Sequence, residues 1–196
     1  MIIQVKNVMV LVAIVGSLSL VSCRETNEEK AAPPMQNEMH QESIDRDMDA
    51  AMNEEQILKD QITAQFENQA IGAIYQHYIN IKNALVQTDA TMAQDRAKEM
   101  VAALESTQTN EAVATAALKI ATESNVNAQR MAFSDLTAAM EAQLEGALSS
   151  GEIYKQYCPM AFEGKGDSWF SNSKEIRNPY YGDKMLKCGR VEATIK

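Results

Sequence analysis

Apolar side chains recur every three or four residues through most of the chain between residues 53 and 149. This spacing places them on one face of an α-helix, so it predicts amphipathic helices. The segment contains no proline and only two glycines, and its many alanines also favour helix. The recurring positions begin with Leu58, Ile62 and Phe66 and continue through Ile71, Ile74, Tyr75, Tyr78, Ile81 and Leu85.

Polar breaks divide this segment into four predicted helices. Thr88 or Asp89 can end the first helix and cap the second, residues 107–110 form a polar stretch, and Ser124-Asn125 precedes the fourth. Amphipathic helices with short connections predict an antiparallel bundle of about four helices, in which the alanines allow close packing. Methionines at helical spacing are expected in the core: Met92, Met100, Met131 and Met140.

The last 46 residues have a different composition. Residues 151–196 hold seven of the eleven aromatic residues and five of the eight glycines. Turn signals such as Asn178-Pro179 separate segments that can form short strands at 153–157 and 190–195. The fold class is therefore mainly α, with a small loop-rich, β-containing C-terminal cap packed on the bundle.

The N-terminus has the form of an export signal. Lys6 is the one charge before Arg24, and residues 8–21 are mostly apolar, too few for a comfortable membrane span. The run ends in LVSC, which resembles the bacterial lipobox. We expect a lipoprotein signal peptide at 1–22 and a lipidated Cys23 carrying acyl chains such as palmitate. An ordinary signal peptide or an N-terminal anchor helix is the alternative.

The segment after the predicted cleavage site looks like a disordered acidic tether. Residues 23–52 are rich in Glu, Asp, Gln and Asn and contain two adjacent prolines, so they cannot bury enough apolar surface to fold. Two pairs of methionines and a histidine make this segment either a plain spacer or a weak arm for soft metal ions. These residues are Met35, Met39, His40, Met48 and Met52.

The net charge and the predicted export limit the partners and the location that we expect for the protein. Without Lys6, the chain keeps 17 Lys and Arg against 27 Asp and Glu, a formal charge of −10 that argues against nucleic acid as a partner. The lipid anchor implies the cell envelope outside the cytoplasm. Arg24 after the cysteine, rather than Asp, favours the outer membrane where the host has one. The lipid anchor makes the membrane an expected partner.

Two cysteines remain in the folded part, 53–196, and each has a methionine close by. Cys158 lies in Cys-Pro-Met with Met160, and Cys188 follows Met185 by three residues. Thiolate and thioether sulfur select soft ions such as Cu(I), whereas zinc rarely takes thioether. An exported protein meets an oxidising compartment, so a Cys158–Cys188 disulfide is also expected. From the residues, a disulfide, a metal site and buried free thiols all remain open.

His77 is the one histidine of the folded part, and it flanks the apolar stripe of the first helix. It either lies at a helix boundary or adds an imidazole to the sulfur site. The sequence contains no phosphate loop, no HExxH and no nucleophile elbow, so we expect no enzyme activity.

Several segments resemble an uncharacterised bacterial exported domain, a family of unknown function found alone or fused to copper and silver efflux adaptors of the CusB type. YKQYCPMAF and EIRNPYYGDKMLKCG resemble its C-terminal end, and HYINIKNALVQTDA and QRMAFSDLTAAM its helices. The likeness covers roughly residues 70–192. Where the family is expected to have a Gly-small-aromatic run, this chain has GDSW at 166–169, so that loop is expected to differ.

The resemblance implies that Cys158, Met160, Met185 and Cys188 bind Cu(I) or Ag(I), with His77 as a fifth candidate. The chain would then be a membrane-anchored accessory to metal resistance or efflux, with an efflux adaptor as its protein partner. The alternative is a disulfide-stapled helical interaction module whose aromatic, slightly basic cap binds a protein partner without metal.

Overall fold

The computed structural model describes residues 63–105 and 111–196. The predicted signal peptide, Cys23, the tether with its methionines, Leu58 and Ile62 lie outside these residues. The polar break at 107–110 also lies outside them.

Four helices make up most of the described chain. Helix α1 covers Gln69–Val86, α2 covers Ala90–Glu105, α3 covers Glu111–Thr122 and α4 covers Val126–Leu144. Each helix packs on the next, and α1 also contacts α4. Because consecutive helices with short connections run antiparallel, the predicted four-helix bundle is confirmed. Within the described ranges, none of the helices is long and apolar enough to cross a membrane.

Two helices begin at the polar breaks that the sequence predicts. The side chain of Asp89 accepts a hydrogen bond from the backbone N–H of Met92 at 2.8 Å, at the start of α2. Asn125 caps α4 in the same way, through the backbone N–H of Asn127 at 2.9 Å. These side chains satisfy N–H groups that have no partner within a helix, which fixes where each helix starts.

Small and flexible side chains fill the space between the helices. Alanines such as Ala93 and Ala97 are fully buried, and so are Met100 and Met140, as predicted. The prediction for Met131 is wrong, because its side chain is 57% exposed. Phe133 is buried, and two positions along an α-helix correspond to a rotation of about 200°. Met131 therefore lies nearly opposite the face of α4 that packs in the core.

A short antiparallel ladder replaces helix at both ends of the predicted bundle. Strand β1 is Gln65–Phe66 and strand β2 is Leu148–Ser150, and Phe66 pairs with Leu148. The prediction of helix at Phe66 and at Leu148 is therefore wrong. Asn68 caps α1 only after Phe66, and Glu145 leaves the helical conformation with ψ of 115°.

The C-terminal cap is built on a three-stranded antiparallel sheet. The central strand β3 is Ile153–Cys158, with β4, Asp167–Ser171, on one side and β5, Arg190–Ile195, on the other. The predicted strands at 153–157 and 190–195 are confirmed. Strand β4 contains Asp167, Ser168 and Trp169 of the GDSW segment that was expected to form a loop, and Gly166 lies in the turn before it, with φ of 78°.

The cap and the bundle share one hydrophobic core. The Tyr78 ring on α1 stacks on Phe133 of α4 at 4.9 Å and meets Phe170 of β4 at 6.0 Å. The Tyr78 hydroxyl also accepts the backbone N–H of Phe170 at 3.0 Å. Trp169 and Phe170 are fully buried. The prediction that the cap packs on the bundle through its aromatic residues is confirmed.

Arg130 connects the bundle to the long loop of the cap. Its Nε donates to the carbonyl oxygen of Pro179 at 2.9 Å, and its Nη2 donates to the carbonyl oxygen of Leu85 at 3.3 Å. Burial lowers the pKa of the guanidinium, and the nearby carboxylate of Asp183 acts in the opposite direction. The end of α1, helix α4 and the loop are thus tied together by one side chain.

Candidate functional site

The sheet brings the two cysteines of the folded part to one place. Cys158 is the last residue of β3, and Cys188 lies two residues before β5. Strands β3 and β5 pair antiparallel with Tyr157 opposite Arg190. Residues just beyond this pair in either strand are therefore neighbours, although 30 positions separate the two cysteines along the chain.

The two thiols are in contact. The Sγ atoms of Cys158 and Cys188 lie 3.2 Å apart, and neither cysteine is in a disulfide. Cys158 is fully buried in the core, whereas Cys188 is partly exposed. The hydrogen bond with Cys158 and then burial raise the pKa of the Cys188 thiol, and the backbone of Met160 lowers it. The pair is a compact source of soft sulfur ligands with one face toward solvent.

A buried amide holds the loop that carries Cys188. Asn178 is fully buried, and its Nδ2 donates to the carbonyl oxygen of Cys188 at 2.8 Å. Its Oδ1 accepts the backbone N–H of Tyr180 at 2.8 Å. The backbone N–H of Asn178 donates to the carbonyl oxygen of Leu186, also at 2.8 Å. Both ends of the loop are therefore fixed from one residue, and Cys188 is held against β3.

A second connection lies beside the thiols and joins the two methionine-containing segments. The Tyr181 hydroxyl donates to the carbonyl oxygen of Met160 at 2.6 Å. The backbone N–H of Cys188 donates to the carbonyl oxygen of Met185 at 3.0 Å. The side chains of Met160 and Met185 are 50% and 38% exposed. The two thiols are thus in contact, and Met160 and Met185 lie on chain segments next to them, with both methionine side chains largely exposed.

The turn after Met160 has an unusual backbone. Phe162 and Glu163 both have positive φ, 49° and 62°, which non-glycine residues rarely adopt. The turn is held by a hydrogen bond from the N–H of Gly166 to the carbonyl oxygen of Ala161 at 3.0 Å. The Phe162 ring packs on Tyr180 with centroids 5.0 Å apart. Such backbone strain tends to occur at functional sites, so the strained turn beside the cysteines is consistent with a functional site in this part of the cap.

His77 lies in α1, away from the face of the helix that meets the cap. The Tyr75 hydroxyl donates to Asn172, and the Tyr78 hydroxyl binds Phe170, so both tyrosines point at the cap. With 3.6 residues per turn, His77 points about 130° away from their mean direction. Its Nδ1 is buried without a hydrogen-bond partner among the described residues. The structure does not bring His77 toward the thiols.

The described ranges contain no group of three or more His, Cys, Asp or Glu side chains that could hold a metal ion. A metal at the cysteines would therefore draw its remaining ligands from thioether sulfur or from the backbone. Two thiolates and two thioethers suit Cu(I) and Ag(I), and they do not match the thiolate and imidazole sets typical of zinc.

The residues that hold the site together are not singled out by the sequence pattern. The sequence predicts Asn178 as part of a turn and assigns no role to Arg130 or Tyr181. For Asn178 the usable signal was a polar residue within an aromatic, loop-rich segment, because a buried amide must find several partners. Gln129, next to Arg130, follows the same rule, since its Nε2 donates to the carbonyl oxygens of Ala90 and Glu123.

Residues 74–150 match the model of a family described as a protein of unknown function (DUF3347). A domain of that family is therefore present in this chain, and it spans most of the bundle and β2. The match ends before Cys158, so the sulfur site lies in the part of the chain that follows it. No curated protein and no solved structure matches the chain.

Proposed function

We propose that this chain is a lipid-anchored envelope protein that binds a soft metal ion, Cu(I) or Ag(I), between Cys158 and Cys188. The observation that supports the proposal is the contact of the two thiols at 3.2 Å on a partly exposed corner of the cap. Thiolates that are already neighbours lose little conformational entropy when they take a metal. Met160 and Met185 are the proposed thioether ligands, and soft sulfur favours monovalent copper or silver.

The graded exposure of the four sulfur residues suits a protein that passes metal on. Met160 and Met185 are at the surface, Cys188 is partly exposed and Cys158 is buried. An ion can be captured by thioether, exchanged to the thiolates and released along the same path. The reaction is ligand exchange, with no covalent chemistry, and no enzyme activity is proposed.

The proposed setting comes from the N-terminus and from the family resemblance. Cys23 would carry the lipid, and the acidic tether would hold the folded part away from the membrane. A metal-efflux adaptor is the proposed protein partner, and the outer membrane is the favoured location. Mass spectrometry of the mature protein tests the anchor, which requires an acylated N-terminus at Cys23. An unmodified mature N-terminus at another residue contradicts it.

The direct test of metal binding is titration of the reduced protein with Cu(I) against a competing chelator. Cys158→Ser and Cys188→Ser should each abolish tight binding, because one thiolate cannot replace two. Met160→Leu and Met185→Leu should weaken binding less, and Met140→Leu in the bundle core is the matched control. Tight binding that survives both cysteine changes contradicts the site and moves it to the methionines of the tether.

The second candidate is the disulfide-stapled interaction module, and the same thiol contact supports it. Cysteines close enough to share a metal are also close enough to form a disulfide, which needs Sγ atoms about 2.05 Å apart. The redox state of Cys158 and Cys188 in protein purified without reductant separates the two functions. A complete disulfide that resists mild reductant favours the interaction module, and titratable thiols favour metal binding.

A further inference from the structure

The two thiols of the contact pair differ sharply in access to solvent. Cys158 lies at the end of the central strand of the cap sheet, belongs to the hydrophobic core and is 0% exposed. Cys188 lies on the loop in front of it and is partly exposed. Its loop neighbours Lys187 and Met185 are exposed as well. A molecule arriving from solvent can therefore reach Cys188, whereas Cys158 is closed off from solvent in the folded protein.

We propose that Cys158 and Cys188 exchange with external disulfides in a fixed order, with Cys188 reacting first and Cys158 closing the bond. The reactant is a small disulfide or an exposed disulfide of another protein. This activity uses the thiols of the proposed metal site, but it does not depend on metal binding.

The exchange consists of two balanced steps. In the first, the Cys188 thiolate attacks one sulfur of the external disulfide, whose sulfur–sulfur bond breaks and releases one thiolate. In the second, the Cys158 thiolate attacks the Cys188 sulfur of the mixed disulfide, and the second external thiolate leaves. The two protons lost by the cysteines end on the two released thiols. Two protein thiols are oxidised, and one external disulfide is reduced.

The geometry favours the second step. The sulfur atoms already lie 3.2 Å apart, so only about 1 Å of approach separates contact from a disulfide bond. Asn178 keeps the backbone of Cys188 in place through its hydrogen bond to the carbonyl oxygen of that residue. The mixed disulfide therefore forms with the resolving thiol already beside it, which makes its release fast.

The proposed activity would also control the proposed metal site, and this consequence rests on the proposed function. A closed disulfide offers no thiolate to a soft metal ion. A metal held by both thiolates would in turn block attack on an external disulfide. The two sequence hypotheses, a disulfide and a metal site, then describe one pair of cysteines in two redox states.

The experiment uses the full chain with Cys23→Ser, so that only the pair reports, and oxidised glutathione as the probe. In the Cys158→Ser variant, a stable glutathione adduct should accumulate on Cys188. In Cys188→Ser, the adduct should form at least about tenfold more slowly, because a buried thiol reacts only from a locally opened state. Under denaturing conditions the two variants should react at similar rates, which shows that burial causes the difference.

The protein that keeps both Cys158 and Cys188 provides a second test if either single variant folds poorly. Any glutathione trapped by an early acid quench should be on the Cys188 peptide, and the end product should be an internal disulfide with two glutathione thiols released. Adducts that appear first on Cys158, or that persist without release, overturn the proposal. Failure to bind Cu(I) in the separate titration would leave this result unaffected, so the two proposals fail independently.

Discussion

The side-chain amide of Asn178 holds the main chain of Cys188, with Nδ2 donating to the carbonyl oxygen at 2.8 Å. Asn178 is fully buried, and its side-chain Oδ1 accepts the backbone N–H groups of Tyr180 and Tyr181. The two polar atoms of this side chain thus stabilise different parts of the loop. Oδ1 holds the start of the loop, and Nδ2 holds Cys188 at its end.

Replacing Asn178 with Asp should loosen Cys188 without changing the start of the loop. The carboxylate still accepts from Tyr180, but it cannot donate, so the carbonyl oxygen of Cys188 loses its partner in a buried place. We expect a loss of about 1–3 kcal/mol in the free energy of unfolding. Urea denaturation of reduced protein measures it. Asn172→Asp is the control, because Oδ1 of Asn172 accepts from Tyr75 and a carboxylate keeps that role. Equal effects of the two changes would contradict the prediction.

Gly189, directly after Cys188, should not tolerate a side chain. Its φ is 146°, and a Cβ there would lie 2.9 Å from the Trp169 ring and 2.9 Å from the carbonyl oxygen of Tyr157. Both neighbours are fixed in the sheet, so Gly189→Ala should cost about 1–3 kcal/mol of stability. The control is Gly164→Ala, where φ is also positive but nothing lies within 4 Å of the new atom. A smaller loss at Gly189 than at Gly164 would count against this account.

Arg130 should be irreplaceable by lysine although the charge is kept. Its guanidinium reaches Pro179, Leu85 and Asn127 at once, and a lysine ammonium cannot match that fork. We expect Arg130→Lys to destabilise by about 2 kcal/mol, since it leaves buried carbonyl oxygens unsatisfied. Arg96→Lys is the control, because Arg96 makes an exposed ion pair with Glu99, worth about 0.5 kcal/mol or less. Similar melting temperatures for both variants would contradict the assigned role.

The helices could be predicted because their signals are local. The helical spacing of apolar residues and the capping side chains such as Asp89 and Asn125 both act within a few positions of the chain. The β1–β2 ladder could not, because Phe66 continues the four-residue spacing of Ile62 and its strand partner Leu148 lies some eighty positions further along the chain. A two-residue strand has no period of its own, so its conformation is set by that distant partner.

The residues of the candidate site could be predicted from the sequence, but their arrangement in space could not. Sulfur chemistry pointed to Cys158 and Cys188, and the turn signal at Asn178-Pro179 allowed the loop to return. The contact itself depends on the pairing of β3 with β5 and on the buried amide of Asn178, both of which act across many positions. His77 illustrates the opposite case, since its type suited the site but its position in α1 turns it away.

The cap should be required for the stability of the bundle. Trp169 and Phe170 are fully buried, and Tyr180 is nearly so. Ending the chain after residue 150 would expose the bundle surface that they cover, and each large apolar side chain contributes about 1.5–3 kcal/mol when fully buried. We expect the truncated protein to lose cooperative unfolding. An unchanged melting temperature would mean that the cap is a separate unit.

The last prediction concerns alkaline pH and the tyrosines between the bundle and the cap. Burial raises the pKa of Tyr78 well above its usual range, although its hydrogen bonds with Thr137 and Phe170 act in the opposite direction. Burial also raises the pKa of Tyr180, with further contributions from Tyr78 and Asp167. Both hydroxyls are thus protonated in the folded state at pH values where an unfolded chain would lose these protons.

Because the folded pKa is the higher one, the stabilisation is fully present below about pH 10, the unfolded value. Above it the unfolded state binds fewer protons, so the free energy of unfolding falls as pH rises, by about 1.4 kcal/mol per pH unit for each such tyrosine. Urea denaturation between about pH 9 and about pH 11 measures this slope. Tyr78→Phe should make this slope shallower by the contribution of one tyrosine. The same change should lower the free energy of unfolding at neutral pH, because Thr137 and Phe170 lose their hydrogen-bond partner. Equal slopes for the parent protein and Tyr78→Phe would show that Tyr78 ionises as readily in the folded state as in the unfolded chain.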